Sequence, residues 1–185
     1  MLNESNSAAE RAEWLPAERL GQASMAGNVR SYMIGKGQLT ERLKEVCGRA
    51  FSHRLCDLSS GLLSAEHRAL LRNDSAGLLR DVKMYCRETV WVYAQNIIPD
   101  STLTAHPWLA ELGDAALGET LAGISGVTRS SYEYAWLAAE HPLTRRALGE
   151  ADIKPAGLWA RRYRYTLHDA PLLVQELFFP AIGQT

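Results

Sequence analysis

Cysteine is scarce in this chain. Cys47, Cys56 and Cys86 are the three cysteines among 185 residues. They are odd in number and lack the close, paired spacing that a disulfide framework or a CxxC metal site needs. The expectation is three small apolar residues buried in a reducing compartment. A surplus of one charge sign is also missing, with 20 Lys and Arg against 21 Asp and Glu and a net charge of −1. Nucleic-acid binders carry a clustered basic surplus. The local basic run here, Arg161-Arg162-Tyr163-Arg164, is too short to track a phosphate backbone, so nucleic acid is set aside as a partner. No stretch approaches the roughly 18 apolar residues of a membrane span. The opening Met-Leu-Asn-Glu-Ser-Asn-Ser has no cationic segment followed by an apolar run, so no signal peptide is expected and the reading is a cytoplasmic protein. Repeats and low-complexity segments are absent as well.

What remains is an ordinary globular composition, 46% hydrophobic and 22% charged, enough for one domain around one core. Residues 1–28 read as a polar, loosely ordered leader and residues 29–185 as the domain. Val29–Ile34 is helical and is broken by Gly35 and Gly37. Leu39, Leu43, Val46 and Cys47 share one face of a helix that Gly48 ends. Ala50–Cys56 alternates like a strand, and Ser64 opens a short helix through Leu71. Leu78–Tyr85 and Val90–Ile98, rich in strand formers, predict a β-hairpin stopped by Pro99. Two short helices are expected between Pro107 and Leu121, a strand over Val127–Trp136, and a helical excursion over His141–Asp152. Leu158–Leu167 and Pro171–Phe179 predict two strands around the turn His168-Asp169-Ala170. The pattern is α+β: a single domain with a mostly antiparallel sheet of about six strands, one face of it covered by helices.

Generic catalytic motifs are missing too: there is no GxGxxG, P-loop, HExxH or GxSxG. The histidines His53, His67, His106, His141 and His168 share no metal-ligand spacing. Charge inside strands is what stands out. Arg80 follows Leu79 in the first hairpin strand. Glu176 shares a face with Leu172, Val174 and Phe178. A carboxylate among apolar neighbours is costly unless it is paired or hydrogen-bonded. By pattern alone, a structural Glu–Arg pair or an edge-strand Glu is as good a reading as a functional site.

Five blocks, in order and spacing, resemble the chorismate lyase family. Leu39-Thr40-Glu41-Arg42-Leu43 resembles its "S-[ML]-T-x-[RK]-[FL]" helix. Leu79-Arg80-Asp81-Val82 through Trp91-Val92-Tyr93-Ala94 resembles "W-x-R-E-V-x-L … G-x-P-W-V-x-A". Ile97-Ile98-Pro99 with Ser101-Thr102-Leu103 resembles "V-[IV]-P-x-[ST]-[TL]-L". Leu112-Gly113 through Leu117-Gly118 resembles "L-G-x-x-P-L-G". Gly157–Arg162 and Pro171–Ala181 resemble "L-W-[AG]-R-R-S … P-L-L-V-x-E-x-F-L-P". Together they cover most of the chain from residue 39 onward, and residues 1–28 not at all.

The resemblance implies a chorismate lyase-like fold and a carbon–oxygen lyase that eliminates pyruvate from chorismate to give 4-hydroxybenzoate for ubiquinone biosynthesis. It implies no cofactor and no metal, and the expected state is a monomer. Carried over by position, Arg80 binds the ring carboxylate, Glu176 faces the hydroxyl end of the ring, and Leu39 and Leu117 contact the ligand through their backbones. The chemistry agrees, since a guanidinium grips one carboxylate of a dianion bidentately and the reaction asks mainly for positioning and electrostatics. Departures from the pattern are Gln95 in place of an arginine, which marks a variant or second-site position, Ala116 in place of a proline, and Tyr163 in place of a serine. Residues 137–156 form an insertion that is either a lid or a decoration. Two alternatives stay open: a relative making a different hydroxybenzoate, and a non-catalytic domain of the same fold that binds a small aromatic effector. The second expects an attached DNA-binding domain, for which residues 1–28 leave no room.

Overall fold

Strand formers at period two build the long hairpin first. In the computed structural model, which describes residues 12–21, 25–72, 74–150 and 155–184, Ala76–Cys86 (β3) and Thr89–Pro99 (β4) pair antiparallel from Gly77↔Pro99 to Cys86↔Thr89. A second hairpin joins Gly157–Leu167 (β7) to Ala170–Phe178 (β8). Its turn residues His168 and Asp169 both adopt positive φ, 44° and 73°, as a tight turn matched to strand twist requires. The other strands are Leu15–Pro16 (β1), Phe51–Leu62 (β2), Val127–Arg129 (β5) and Glu133–Ala138 (β6). All pair antiparallel in one sheet of order β1-β6-β7-β8-β4-β3-β2, with β5 also on β7.

The two faces carry different helices. On the front, Gly27–Ile34 (α1) and Leu39–Cys47 (α2) bury Met33 and Leu43 against Met84, Val92 and Phe178. At the other end of that face, the 3-10 turn Pro107–Glu111 and the helix Leu117–Ala122 (labelled α5 by chain order) bury Leu109, Leu117 and Leu121 against Ile98, Leu172 and Val174. Between α2 and these two lie, in sequence, Ala65–Leu70 (α3) and Asp100–Ala105 (α4). Pro142–Leu148 (α6) packs on the reverse face against Tyr93, Leu158 and Leu177. Leu63, Leu70 and Leu71, around α3, meet Ile97 and Leu173 on that same face.

Helices therefore cover both faces rather than one. The segment 137–156 sends α6 to the reverse side; the last expected helical positions, 151 and 152, lie outside the described residues. Among the described residues eight strands stand where about six were expected. β1 is two residues long and carries no periodicity to read. The strand expected over Val127–Trp136 is two strands, interrupted where the Ser130 hydroxyl accepts from the Arg164 N–H. β2 runs on to Leu62 because a bulge between Leu55 and Asp57 shifts its register and breaks the alternation past Cys56. Of the leader, residues 1–11 and 22–24 lie outside the described residues, while Leu15 pairs with Tyr134, Pro16 with Glu133, and Leu20 joins the front core. No helix among the described residues is long and apolar enough to cross a membrane.

The cysteine expectation needs correcting. Cys47 ends α2, Cys86 ends β3, and the two form a disulfide with Cα atoms 5.6 Å apart. Cys56 is a free, exposed thiol. Their sequence separation of 39 residues gives no hint of contact, and only the docking of α2 on the sheet brings them together. Protein purified without reductant should therefore show one reactive thiol in urea and three after reduction. Three before reduction would overturn the pairing. Reduction should lower the unfolding free energy by about 2–4 kcal/mol, read from urea denaturation.

Candidate active site

Two cross-strand rows on the front face build the site. One row runs Arg161↔Glu176↔Ala94↔Val82 across β7, β8, β4 and β3, and the next runs Tyr163↔Val174↔Asn96↔Arg80. All eight side chains line one cavity, roofed by Gln38, Leu39 and Thr40 at the start of α2 and by Ala115–Gly118 at the start of α5. Arg80 and Glu176 sit two strands and one row apart, so standard sheet spacings set their Cα atoms roughly 12 Å apart. Ala94, next to Glu176 in its row, leaves open the space between them.

Arg80 is 2% exposed. Its Nη2 donates to the carbonyls of Gly113 at 2.7 Å and Ala115 at 2.6 Å. The intervening Asp114 accepts the Leu55 N–H at 2.6 Å, which holds this loop against β2. The Arg80 Nε is buried and has no hydrogen-bond partner among the described residues. Burial pulls the guanidinium below its ordinary pKa, opposed by Asp114. A buried, charged donor left unmatched is what a ligand anion would complete.

Glu176, 4% exposed, is matched on both oxygens. Arg161 Nε donates to Oε2 at 2.5 Å and the Tyr163 hydroxyl to Oε1 at 3.2 Å. Arg161, 1% exposed, turns its Nη1 to the carbonyls of Met33 at 2.8 Å and Tyr32 at 3.3 Å, in the last turn of α1. Its guanidinium lies 4.5 Å from the centre of the Tyr132 ring. Burial works to lower the Arg161 pKa, but Glu176 and the neighbouring tyrosines outweigh it and raise it. Burial first, then Glu176, pushes the Tyr163 hydroxyl well above its ordinary value, so Tyr163 acts as a donor. His53 also lines the cavity; burial lowers its pKa most, and its Nε2 is buried without a partner among the described residues.

Leu39 and Leu117 are the first residues of α2 and α5. Neither helix has a side-chain cap, since Gln38 and Ala116 make no capping hydrogen bond. First-turn N–H groups have no intrahelical acceptor, so both helices begin with donors available at the cavity wall. The cavity's free volume is about 50 Å3, below the roughly 300 Å3 lower end of small-molecule sites, so a ring-sized ligand needs the roof to move.

Four of the residues singled out in the sequence, Arg80, Glu176, Leu39 and Leu117, thus line one cavity. Gln95 does not. Alternation along β4 turns it to the reverse face, where its Nε2 donates to Asp81 Oδ1 at 3.1 Å. There it lines a second cavity of about 790 Å3 with Gln175, His67 and Arg146. Asp81, also buried, pairs with Arg146. Sequence reasoning passed over Arg161 as one member of a basic run. Its alternation with Tyr163 and Tyr165 was visible, but only the β7–β8 register shows that it faces Glu176.

A sequence model of the family described as Chorismate lyase matches residues 8–184. The probable chorismate pyruvate-lyase of Nitrosospira multiformis is 33% identical over 178 residues, covering 95% of this chain and 97% of that protein. That of Methylococcus capsulatus is 34% identical over 157 residues, covering 82% and 94%. Among solved structures, the effector domain of PhnF from Mycobacterium smegmatis superposes with a TM-score of 0.55 at 14% identity, covering 78% of this chain and 89% of that one. At that identity the likeness speaks for the fold alone.

Removing one partner of a buried ion pair strands the other charge. Arg161→Leu is expected to cost about 3–5 kcal/mol of stability, measured by urea unfolding, and a loss under 1 kcal/mol would mean that water reaches Glu176.

Proposed function

The chain belongs to the chorismate lyase family, and from this we propose that it eliminates pyruvate from chorismate to leave 4-hydroxybenzoate. The observation that carries the proposal is the placement of Arg80 and Glu176 in one cavity, two strands and one row apart, with Ala94 leaving room between them. In this reading the ring carboxylate takes the unmatched Arg80 Nε and the first-turn N–H groups of Leu39 and Leu117. The ring lies over Ala94 and the ring hydroxyl meets Glu176.

The chemistry then asks little of the protein beyond position. The carbon–oxygen bond to the enolpyruvyl group breaks, the hydrogen on the hydroxyl-bearing ring carbon leaves as a proton, and the ring becomes aromatic. The released enolpyruvate takes a proton at its methylene carbon to become pyruvate. Electrons balance within the substrate, with no oxidant required. Glu176 orients the hydroxyl and assists the departing proton. Arg161 and Tyr163 hold that carboxylate in place, and the roof excludes water. The product's use in ubiquinone biosynthesis, a cytoplasmic location, a monomeric state and activity without metal belong to the same proposal.

The primary test is incubation with chorismate while pyruvate and 4-hydroxybenzoate are followed together. Equal amounts of both are expected. Pyruvate with another aromatic product would change the product assignment. Neither product, with a rise in melting temperature on adding 4-hydroxybenzoate, would mark a binding domain. Arg80→Ala should lower kcat/KM by about 100-fold or more, and near-normal activity would remove its assignment. Glu176→Gln should lower kcat by about 100-fold, and full turnover would remove the proton role. An excess of chelator should leave the rate unchanged.

A further inference from the structure

We propose that Arg129 binds the second carboxylate of chorismate, the one on the enolpyruvyl group that departs as pyruvate. The inference rests on the activity proposed above and adds a substrate-binding residue to it. It starts from charge. The described residues lining the cavity include three guanidinium groups, Arg80, Arg129 and Arg161, and one carboxylate, Glu176. Arg161 is already neutralised by Glu176. Two cations are left for a substrate that brings two negative charges.

Arg129 is set up to receive one of them. It lies on β5, paired with Tyr165 of β7, and forms no ion pair with a carboxylate side chain among the described residues. Its neighbours are aromatic. The guanidinium carbon is 4.5 Å from the centre of the Tyr132 ring and 5.6 Å from that of Tyr163, and its charge partly opposes the burial that raises the Tyr165 hydroxyl's pKa. A guanidinium stacked on ring faces is held in orientation while its N–H edge stays open, the arrangement that accepts a carboxylate bidentately.

The placement also matches the substrate's shape. Arg129 and Arg161 each lie 4.5 Å from the Tyr132 ring centre, so Arg129 belongs to the Glu176–Tyr163 side of the cavity. Arg80 is on the other side, on β3. In chorismate the enolpyruvyl ether leaves the ring next to the hydroxyl-bearing carbon, away from the ring carboxylate. With the hydroxyl at Glu176, the second carboxylate falls on Arg129's side. Arg129 is solvent-exposed, so it stands where the cavity meets water and where pyruvate would exit. Held there, the enolpyruvyl carboxylate fixes the direction in which the ether bond breaks.

The test compares two ligands that differ in this carboxylate. In the full chain carrying Arg129→Gln, the KM for chorismate should rise about tenfold or more. The dissociation constant for 4-hydroxybenzoate, which lacks the group, should change less than about twofold, and Arg129→Lys should recover part of the loss. The melting temperature should stay near that of the wild type. An active wild type with an unchanged KM in Arg129→Gln overturns the assignment. So does an equal weakening of both ligands, which would mean that Arg129 only shapes the cavity. A wild-type protein that releases no pyruvate overturns the activity itself, and Arg129's role with it.

Discussion

Two opposite charges buried in the middle of the sheet set the terms for everything around them. Glu176 and Arg161 are cross-strand neighbours on β8 and β7, both almost wholly out of water. Taking two ions out of water is costly, and the arrangement holds only if the remaining lone pairs and protons are met. They are met by the Tyr163 hydroxyl on one side and by the Tyr32 and Met33 carbonyls on the other. Those carbonyls end α1, where a cation is favoured by the helix's partial negative charge. One guanidinium thus ties the sheet floor to α1, the helix before the roofing α2, and the carboxylate it holds faces the cavity.

Around this pair the two sheet faces divide the polar residues. Among the described residues the front gathers three cations and one carboxylate in an apolar, aromatic cavity, and of these cations Arg161 is paired with the carboxylate. The reverse face buries Asp81, Gln95, Gln175 and Arg162, but their charges close on protein partners: Asp81 with Arg146, and Arg162 with Glu66 and Glu133. The same strands therefore present one face whose polar groups line the front cavity and one whose polar groups close on each other. One residue's difference in position decides which a side chain joins. Gln95 shows this directly, lying between Ala94 and Asn96 yet facing away from both.

Much of the fold was legible because it depends on local pattern. The β3–β4 and β7–β8 hairpins, the stop at Pro99, the amphipathic α2 ended by Gly48 and the turn at His168-Asp169 all follow from period, propensity and turn chemistry. The misses share a cause. β1 is too short to have a period, and α4, a six-residue helix starting directly after Pro99, carries little helical signal of its own. The bulge in β2 and the break between β5 and β6 are set by partners distant in sequence. The front and reverse destinations of the helices depend on connections that no local pattern records.

By itself the sequence determined most of the element types, the antiparallel class and the pair of charged residues, Arg80 and Glu176, that do not belong among apolar strand neighbours. Family resemblance added Leu39 and Leu117. Only the tertiary structure decided that Glu176 is paired with Arg161, that Cys47 meets Cys86, that Gln95 faces the second cavity, and that Arg129 reaches the first. Alternation says which side chains of one strand share a face. Which strands lie side by side, in what register, and which helix covers them are settled by the burial of the whole core, and those contacts link residues far apart in the chain.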